Sequence, residues 1–299
     1  MKTLYLEAGA KINLTLAVTG RRADGYHLLE TVMQSVSLAD RLIITVNTKP
    51  GIRINCTNPY VPLNEKNTAW QAAARFFQAA GIAPACSISI EKHVPTAAGL
   101  GGGSSDAAAV LTALATLYPD HLQREETHSI AASIGADVPF FLAGGTQMCT
   151  GIGDILEPLE PFEGWPVLLV AAPLAISTPK VFRLYDNIAA DQLPPGPDHN
   201  GFLPALAKAD WPAMSRSGAN MLEAVTFQQY PRLVSAHEQL LRSGALYARM
   251  SGSGPTLFAI YKNELDLQAA LNSLPDVLPA GYKLLPARTT SAGIRLRPG

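Results

Sequence analysis

Apolar and polar positions alternate over residues 10–18, with Lys11, Asn13 and Thr15 on one face and Ile12, Leu14 and Leu16 on the other, as a half-buried strand requires. Lys11 and Asn13 therefore point the same way. A basic turn, Arg21-Arg22-Ala23-Asp24-Gly25, interrupts the pattern across residues 20–26, and residues 42–46 and 52–56 read as further strands parted by Pro50-Gly51. Helical spacing over residues 67–80 stops at Gly81, and residues 87–92 alternate again as a strand. Residues 106–117 are predicted helical, with Val110, Leu111, Leu114 and Leu117 along one face, and a third helix over 124–134 ends at Gly135.

Prolines across residues 157–166 mark a boundary, so a first domain over 1–160 and a second over 161–299 are expected. Past it, residues 167–172 read as a buried strand, 191–201 as an irregular proline-bearing loop, and 217–225 and 233–243 as helices. Strands over 248–250 and 256–261 flank a second glycine turn, Ser251-Gly252-Ser253-Gly254. Strands and helices without strict alternation give an α+β class.

Charge narrows the partners. Lys+Arg 23 against Asp+Glu 24 leave a net charge of −1, which gives no electrostatic case for nucleic acid or an anionic membrane. Cys56, Cys86 and Cys149 are odd in number and lack C-x-x-C spacing, so neither a disulfide framework nor a zinc site is expected and a reducing compartment fits. Glu7 precedes any apolar leader, and the longest apolar run, near residues 167–176, is short and contains Pro173; a cytoplasmic protein is expected. The six histidines show no metal-ligand spacing.

Candidate chemistry concentrates in Pro95-Thr96-Ala97-Ala98-Gly99-Leu100-Gly101-Gly102-Gly103-Ser104-Ser105-Asp106. Four glycines among the five residues 99–103, ahead of an alanine-rich helix, let the backbone turn its N–H groups and the helix dipole toward an anion. The P-loop fingerprint fails because Ser104 stands where its lysine would be, and the dinucleotide fingerprint fails because the same Ser104 stands where its third glycine would be.

Three segments in order, Ala10-Lys11-Ile12-Asn13-Leu14, the run from Pro95 to Ala108, and Met250-Ser251-Gly252-Ser253-Gly254-Pro255, resemble the GHMP small-molecule kinases. Gly20-Arg21-Arg22-Ala23-Asp24-Gly25-Tyr26-His27 and Gly135-Ala136-Asp137-Val138-Pro139-Phe140-Phe141 narrow the resemblance to members acting on 4-diphosphocytidyl-2-C-methyl-D-erythritol in the non-mevalonate route to isoprenoid precursors. The resemblance spans nearly the whole chain. It implies a two-domain GHMP kinase fold, with an N-terminal domain like ribosomal protein S5 domain 2 and a ferredoxin-like C-terminal domain. It also implies ATP-dependent phosphorylation of the substrate's 2-hydroxyl, with ATP and Mg²⁺ as cofactors.

The roles the resemblance implies fall on named positions. Asp137 orients the hydroxyl and accepts its proton, the alternative being an N-cap for the turn at 138–141, and Lys11 supplies a fixed positive charge beside it. Gly101, Gly102, Gly103, Ser104 and Ser105 surround the phosphates within the loop formed with Pro95, Thr96, Ala97, Ala98, Gly99 and Leu100; Asn67 and Lys92 are further nucleotide candidates. Tyr26 and Phe182 sandwich cytosine, His27 hydrogen-bonds it, and Asn13 and Thr178 hold the rest of the substrate. The turn from Ser251 to Gly254 closes the phosphate site or is a plain tight turn.

The chain departs from the family pattern at Gly9, where proline is usual, at Met221 in Asn220-Met221-Leu222-Glu223, where an acid is usual, and at Asp106, where some members carry asparagine. Asp106 could cap the helix, meet Lys11 or help hold Mg²⁺. Competing readings are a mevalonate or homoserine kinase of the same superfamily, a non-catalytic GHMP-like binding protein, and a dinucleotide-dependent oxidoreductase already disfavoured by the glycine count.

Overall fold

The computed structural model describes residues 2–46, 49–189 and 192–298, so Asp191, where the irregular loop was expected to begin, lies outside the described residues. Eight strands build the first sheet: β1 (Lys2–Asn13), β2 (Ala17–Arg21), β3 (His27–Val46), β4 (Gly51–Cys56), β5 (Ala85–Glu91), β6 (Thr146–Thr150), β7 (Ile155–Pro158) and β12 (Ile294–Arg297). Its main path runs β12-β1-β3-β5-β4, with β2 and β6 also on β3 and β7 on β6. Pairing is antiparallel except between β4 and β5.

Four helices accompany it: α1 (Thr68–Ala79), α2 (Gly102–Leu117), α3 (Arg124–Ile134) and α4 (Val138–Ala143). Three of the four starts have a local cause. The Asn67 side chain accepts from the Ala69 N–H at the head of α1; Gln123 and Glu126 form a reciprocal capping box on α3; Pro139 lies in the first turn of α4, where its missing N–H costs nothing. Phe76, Phe77, Leu111 and Leu114 of these helices share one core with Leu42, Ile44, Ile88 and Ile90 of the sheet.

The second sheet contains β8 (Pro166–Ala171), β9 (Tyr247–Met250), β10 (Leu257–Ile260) and β11 (Lys283–Arg288) in the order β11-β8-β10-β9, all antiparallel. Helices α5 (Thr178–Tyr185), α6 (His199–Ala207), α7 (Trp211–Ser217), α8 (Glu223–Gln229) and α9 (Pro231–Arg242) lie between its first two strands in sequence, and α10 (Glu264–Ser273) between its last two. Fourth-first-third-second strand order with two helical crossovers is the ferredoxin-like arrangement that the resemblance implied. All six residues of β8 are buried, which is why it reads as an unbroken apolar run.

Several local expectations change. The strand over 10–18 is broken: β1 ends at Asn13, Thr15 spends its hydroxyl on the Val32 N–H, and the chain re-enters as β2 at Ala17. Residues 42–46 are only the end of β3, which spans 20 residues and changes partner along its length, so no single alternation runs through it. Helix α2 begins inside the glycine run, four residues before the expected start at 106. Residues 217–225 form no continuous helix, because α7 stops at Ser217, Gly218 is extended and α8 starts only at Glu223. Helix α6 already occupies residues 199–201, the end of the expected loop. Its first residue, His199, bonds Thr15 Oγ1 through Nε2 at 3.0 Å and lies 3.5 Å from Glu30 through Nδ1, joining the two halves of the chain; burial lowers its pKa against the opposing pull of Glu30.

Candidate active site

A cleft of about 740 Å³ opens where the two halves meet, lined from β1, the glycine run, the start of α4, α5 and the second glycine turn. Clearance explains the glycines. Gly99 has φ +76, and a Cβ there would fall 2.2 Å from the Ser251 carbonyl oxygen; Gly101 has φ +72, and its Cβ would fall 2.6 Å from the Phe141 ring. Leu100 between them is buried and anchors the loop, its carbonyl accepting the Lys11 N–H at 3.0 Å. The Ser251 hydroxyl donates to Gly99 O at 2.9 Å and accepts the Asn13 N–H at 3.3 Å, so β1, the loop and the second turn share one junction. Asn220 holds that turn from below, donating to the carbonyls of Met250 and Gly252 at 2.8 Å each.

Lys11 and Asn13 share a face, as alternation predicts, and Lys11 Nζ donates to Asn13 Oδ1 at 2.5 Å. The Asn13 amide donates in turn to Thr31 Oγ1 at 2.9 Å, which turns its oxygen toward the lysine. Lys11 Nζ stands 3.7 Å from Asp137 Oδ2, with the lysine 6% exposed and the aspartate 31%. Asp137 occupies the N-cap position of α4, yet its carboxylate makes no capping bond. A partly open carboxylate beside a buried ammonium, facing a cleft, can hold and deprotonate a hydroxyl.

Under the loop lies a second charged group. Lys92 Nζ donates to Asp40 and, at 2.8 Å, to Asp106 Oδ2, while Asp40 Oδ1 also accepts the His93 and Val94 N–H groups at 2.6 and 2.8 Å. Of the alternatives for Asp106, the meeting with Lys11 gives way to a meeting with Lys92. Burial pushes the Asp106 carboxyl up to about 7 against the pull of the Lys92 ammonium. Its second oxygen, Oδ1, is buried without a partner, as is the Ser105 hydroxyl.

The expected nucleotide residues separate into two sets. Pro95, Thr96, Ala97, Ala98, Gly99, Gly101, Gly102, Gly103 and Ser104 line the cleft with Asn67 and Lys92, whereas Leu100 and Ser105 turn inward. The Asn67 amide is already committed: its oxygen caps α1 and its nitrogen donates to Pro62 O at 2.8 Å. Thr178 and Phe182, on α5, line the same cleft, and Thr178 bonds Ser253 at 2.8 Å. His27 stacks on Phe182, ring centroids 4.5 Å apart and planes 17° apart; Tyr26 is 61% exposed and stands outside this group. Thr31, Asp40, Asp186 and Asn220 escaped the sequence reading, and only Asn220 carried a local signal, its place in the Asn220-Met221-Leu222-Glu223 pattern.

Comparison with known proteins bears on this geometry. Residues 67–145 match the family GHMP kinases N terminal domain, and residues 202–280 match GHMP kinases C terminal. The chain is 43% identical over 278 residues to a 4-diphosphocytidyl-2-C-methyl-D-erythritol kinase of Synechococcus sp., covering 90% of this chain and 89% of that one. It is 38% identical over 271 residues to its counterpart from Clostridium perfringens, covering 91% and 93%.

The chain belongs to the GHMP kinase family.

A crystal structure of 4-(cytidine 5'-diphospho)-2C-methyl-D-erythritol kinase superposes on this GHMP kinase with a TM-score of 0.81 at 33% identity, covering 96% of this chain and 99% of that one. Homoserine kinase from Cytophaga hutchinsonii has a TM-score of 0.80 at 20% identity, covering 99% and 98%, and shares the fold. One departure of this GHMP kinase from the family pattern has a physical cause here. Gly9 donates its N–H to Gly293 O at 2.8 Å, which proline cannot do, and a Cβ there would fall 2.8 Å from the same oxygen. Met221 is buried, its sulfur receiving the Val18 N–H at 3.3 Å and the Tyr185 hydroxyl at 3.9 Å; nothing in the structure explains the loss of the acid. Among the described residues, no helix of the kinase is long and apolar enough to cross a membrane.

Proposed function

We propose that this kinase transfers the γ-phosphoryl group of ATP to the 2-hydroxyl of 4-diphosphocytidyl-2-C-methyl-D-erythritol. The observation that carries the reading is the Lys11–Asp137 pair, 3.7 Å apart in one cleft with the glycine loop, in a chain up to 43% identical to kinases named for that substrate. Phosphoryl transfer passes through a loose transition state, so positioning and charge neutralisation supply most of the acceleration. Asp137 accepts the hydroxyl proton as the oxygen attacks. Lys11, held by Asn13, offsets charge on the transferring group. Backbone N–H groups at the head of α2, which has 16 residues, face the phosphates.

The residues present fit Mg²⁺. Asp106 Oδ1 is an unpartnered buried oxygen, and Asp106 and Ser104 both line the cleft. Among the described residues no group of three or more His, Cys, Asp or Glu side chains is gathered, so the remaining ligands would be phosphate oxygens and water. When bound, the ion neutralises charge on the β- and γ-phosphates. Asp106 and Ser104 would hold it.

Phe182 gives the base a stacking face, and Thr178 at the opposite end of α5 reaches the rest of the substrate. The deciding experiment is phosphate transfer from ATP with the cytidylyl compound, mevalonate and homoserine offered in parallel. Turnover of the cytidylyl compound alone is expected; preference for either other acceptor overturns the reading.

A further inference from the structure

Helix α5 presents Thr178, Phe182 and Asp186 at successive four-residue steps, one face of a helix that ends with Asp186 at its C-cap. The first two line the cleft. Asp186 instead grips the turn between β2 and β3: its Oδ1 accepts from His27 Nε2 at 2.6 Å, and its Oδ2 stands 3.3 Å from Arg21 Nη1. His27 is thereby pressed onto Phe182, its side chain only 9% exposed. A carboxylate accepts and never donates when ionised, so Nε2 must carry the proton. Nδ1 then has a lone pair, and among the described residues no group bonds to it.

We propose that Asp186 is a positioning residue that sets the tautomer of His27 and thereby the choice of cytosine over uracil. This rests on the reading that His27 meets the base. With Nε2 protonated and the ring neutral, Nδ1 can only accept a hydrogen bond. The exocyclic amine of cytosine donates one; uracil places a carbonyl oxygen there, and two acceptors facing each other repel. A hydrogen bond in the imidazole plane also sets the base nearly parallel to the Phe182 ring, so hydrogen bonding and stacking are satisfied by one orientation. Without Asp186 the imidazole can turn or shift its proton to Nδ1 and become a donor, which suits uracil equally well.

The experiment compares Asp186→Ala, Asp186→Asn and His27→Ala with the unaltered protein, using ATP with the cytidylyl substrate and with its uridylyl analogue. Asp186→Ala should raise KM for the cytidylyl substrate roughly tenfold, the worth of one hydrogen bond, and leave kcat and the KM for ATP within about twofold. Its cytidine-over-uridine preference should fall by a similar factor, and Asp186→Asn, which keeps an accepting oxygen, should restore much of both. In ¹⁵N spectra of histidine-labelled protein, His27 should be the Nε2–H tautomer, and a mixture in Asp186→Ala. If His27→Ala raises KM while Asp186→Ala changes neither KM, base preference nor tautomer, the positioning role is overturned and base contact by His27 stands. An unchanged KM in His27→Ala overturns both.

Discussion

At the phosphate end of the cleft, Asp40, Lys92 and Asp106 form an ion group with side chains 0–5% exposed, whereas at the base end Asp186 is 27% exposed and its partner Arg21 57%. The first group is tied to backbone N–H groups and lies beneath a loop in which Gly99 and Gly101 have no room for a Cβ; the second joins a helix end to a hairpin turn. Breaking a buried ion pair by removing one partner costs about 3–5 kcal/mol, while an exposed pair contributes about 0–1 kcal/mol. On the proposed function, the end that would hold the phosphates is thus set in buried, intolerant surroundings. The end that would meet the base sits where substitution costs the fold little.

The sharpest way to break that contrast is at the chemistry between the two ends. Asp137→Asn should lower kcat about 10²–10⁴-fold in a coupled ATP-turnover assay, the usual worth of a positioned general base, and Lys11→Ala should fall with it. Near-normal kcat in either variant would move the reaction away from that residue. Next in size, Lys92→Met should lose about 3–5 kcal/mol in urea unfolding by stranding two buried carboxylates, against less than about 1 kcal/mol for Arg21→Met. Equal losses would erase the distinction between the ends.

Removal of the stacking face tests the base end directly. Phe182→Ala should weaken the cytidylyl substrate by about 1–3 kcal/mol, seen in its KM, with the KM for ATP unaltered. An unchanged cytidylyl KM would leave the aromatic group without a part in recognition. The smallest effect concerns His199, 13% exposed and intermediate between the two regimes. Burial depresses its folded-state pKa below the ordinary 6.5, so below that pH the unfolded chain takes up a proton that the native state resists. Stability should therefore decline as pH falls through about 6.5 and be complete above it. His199→Gln should flatten that part of the stability curve; an unaltered slope would remove His199 from the balance.

Much of the phosphate end was legible in the sequence because its signals are local: a glycine cluster, a lysine on an alternating strand, an aspartate before a short turn. The start of α2 was not, since glycine is a poor helix former, and the Thr68 hydroxyl that donates to Gly103 O at 2.7 Å comes from α1, 35 residues away. At the base end only the resemblance singled out Tyr26, His27 and Phe182. Tyr26 and His27 are neighbours in sequence, but Tyr26 still belongs to the turn and is exposed, whereas His27 opens β3 and stacks on Phe182. Asp186 lies 159 residues from His27, and no spacing rule connects them. The break in the strand over 10–18 had a similar origin, because Thr15 bonds a strand whose own pattern hides its length.

Strand β12 pairs with β1 along Tyr5 to Ala8, and Gly9 donates to Gly293, so the flank of β1 is covered by residues made after the whole second sheet. On the ribosome, β1 must wait with that row of N–H and C=O groups uncovered while α5 through β11 emerge. Such an edge invites pairing with another nascent chain. Proteolytic loss of the segment around Ile294 would uncover it in the finished protein, leaving each clipped molecule with a sticky flank on the strand that carries Lys11.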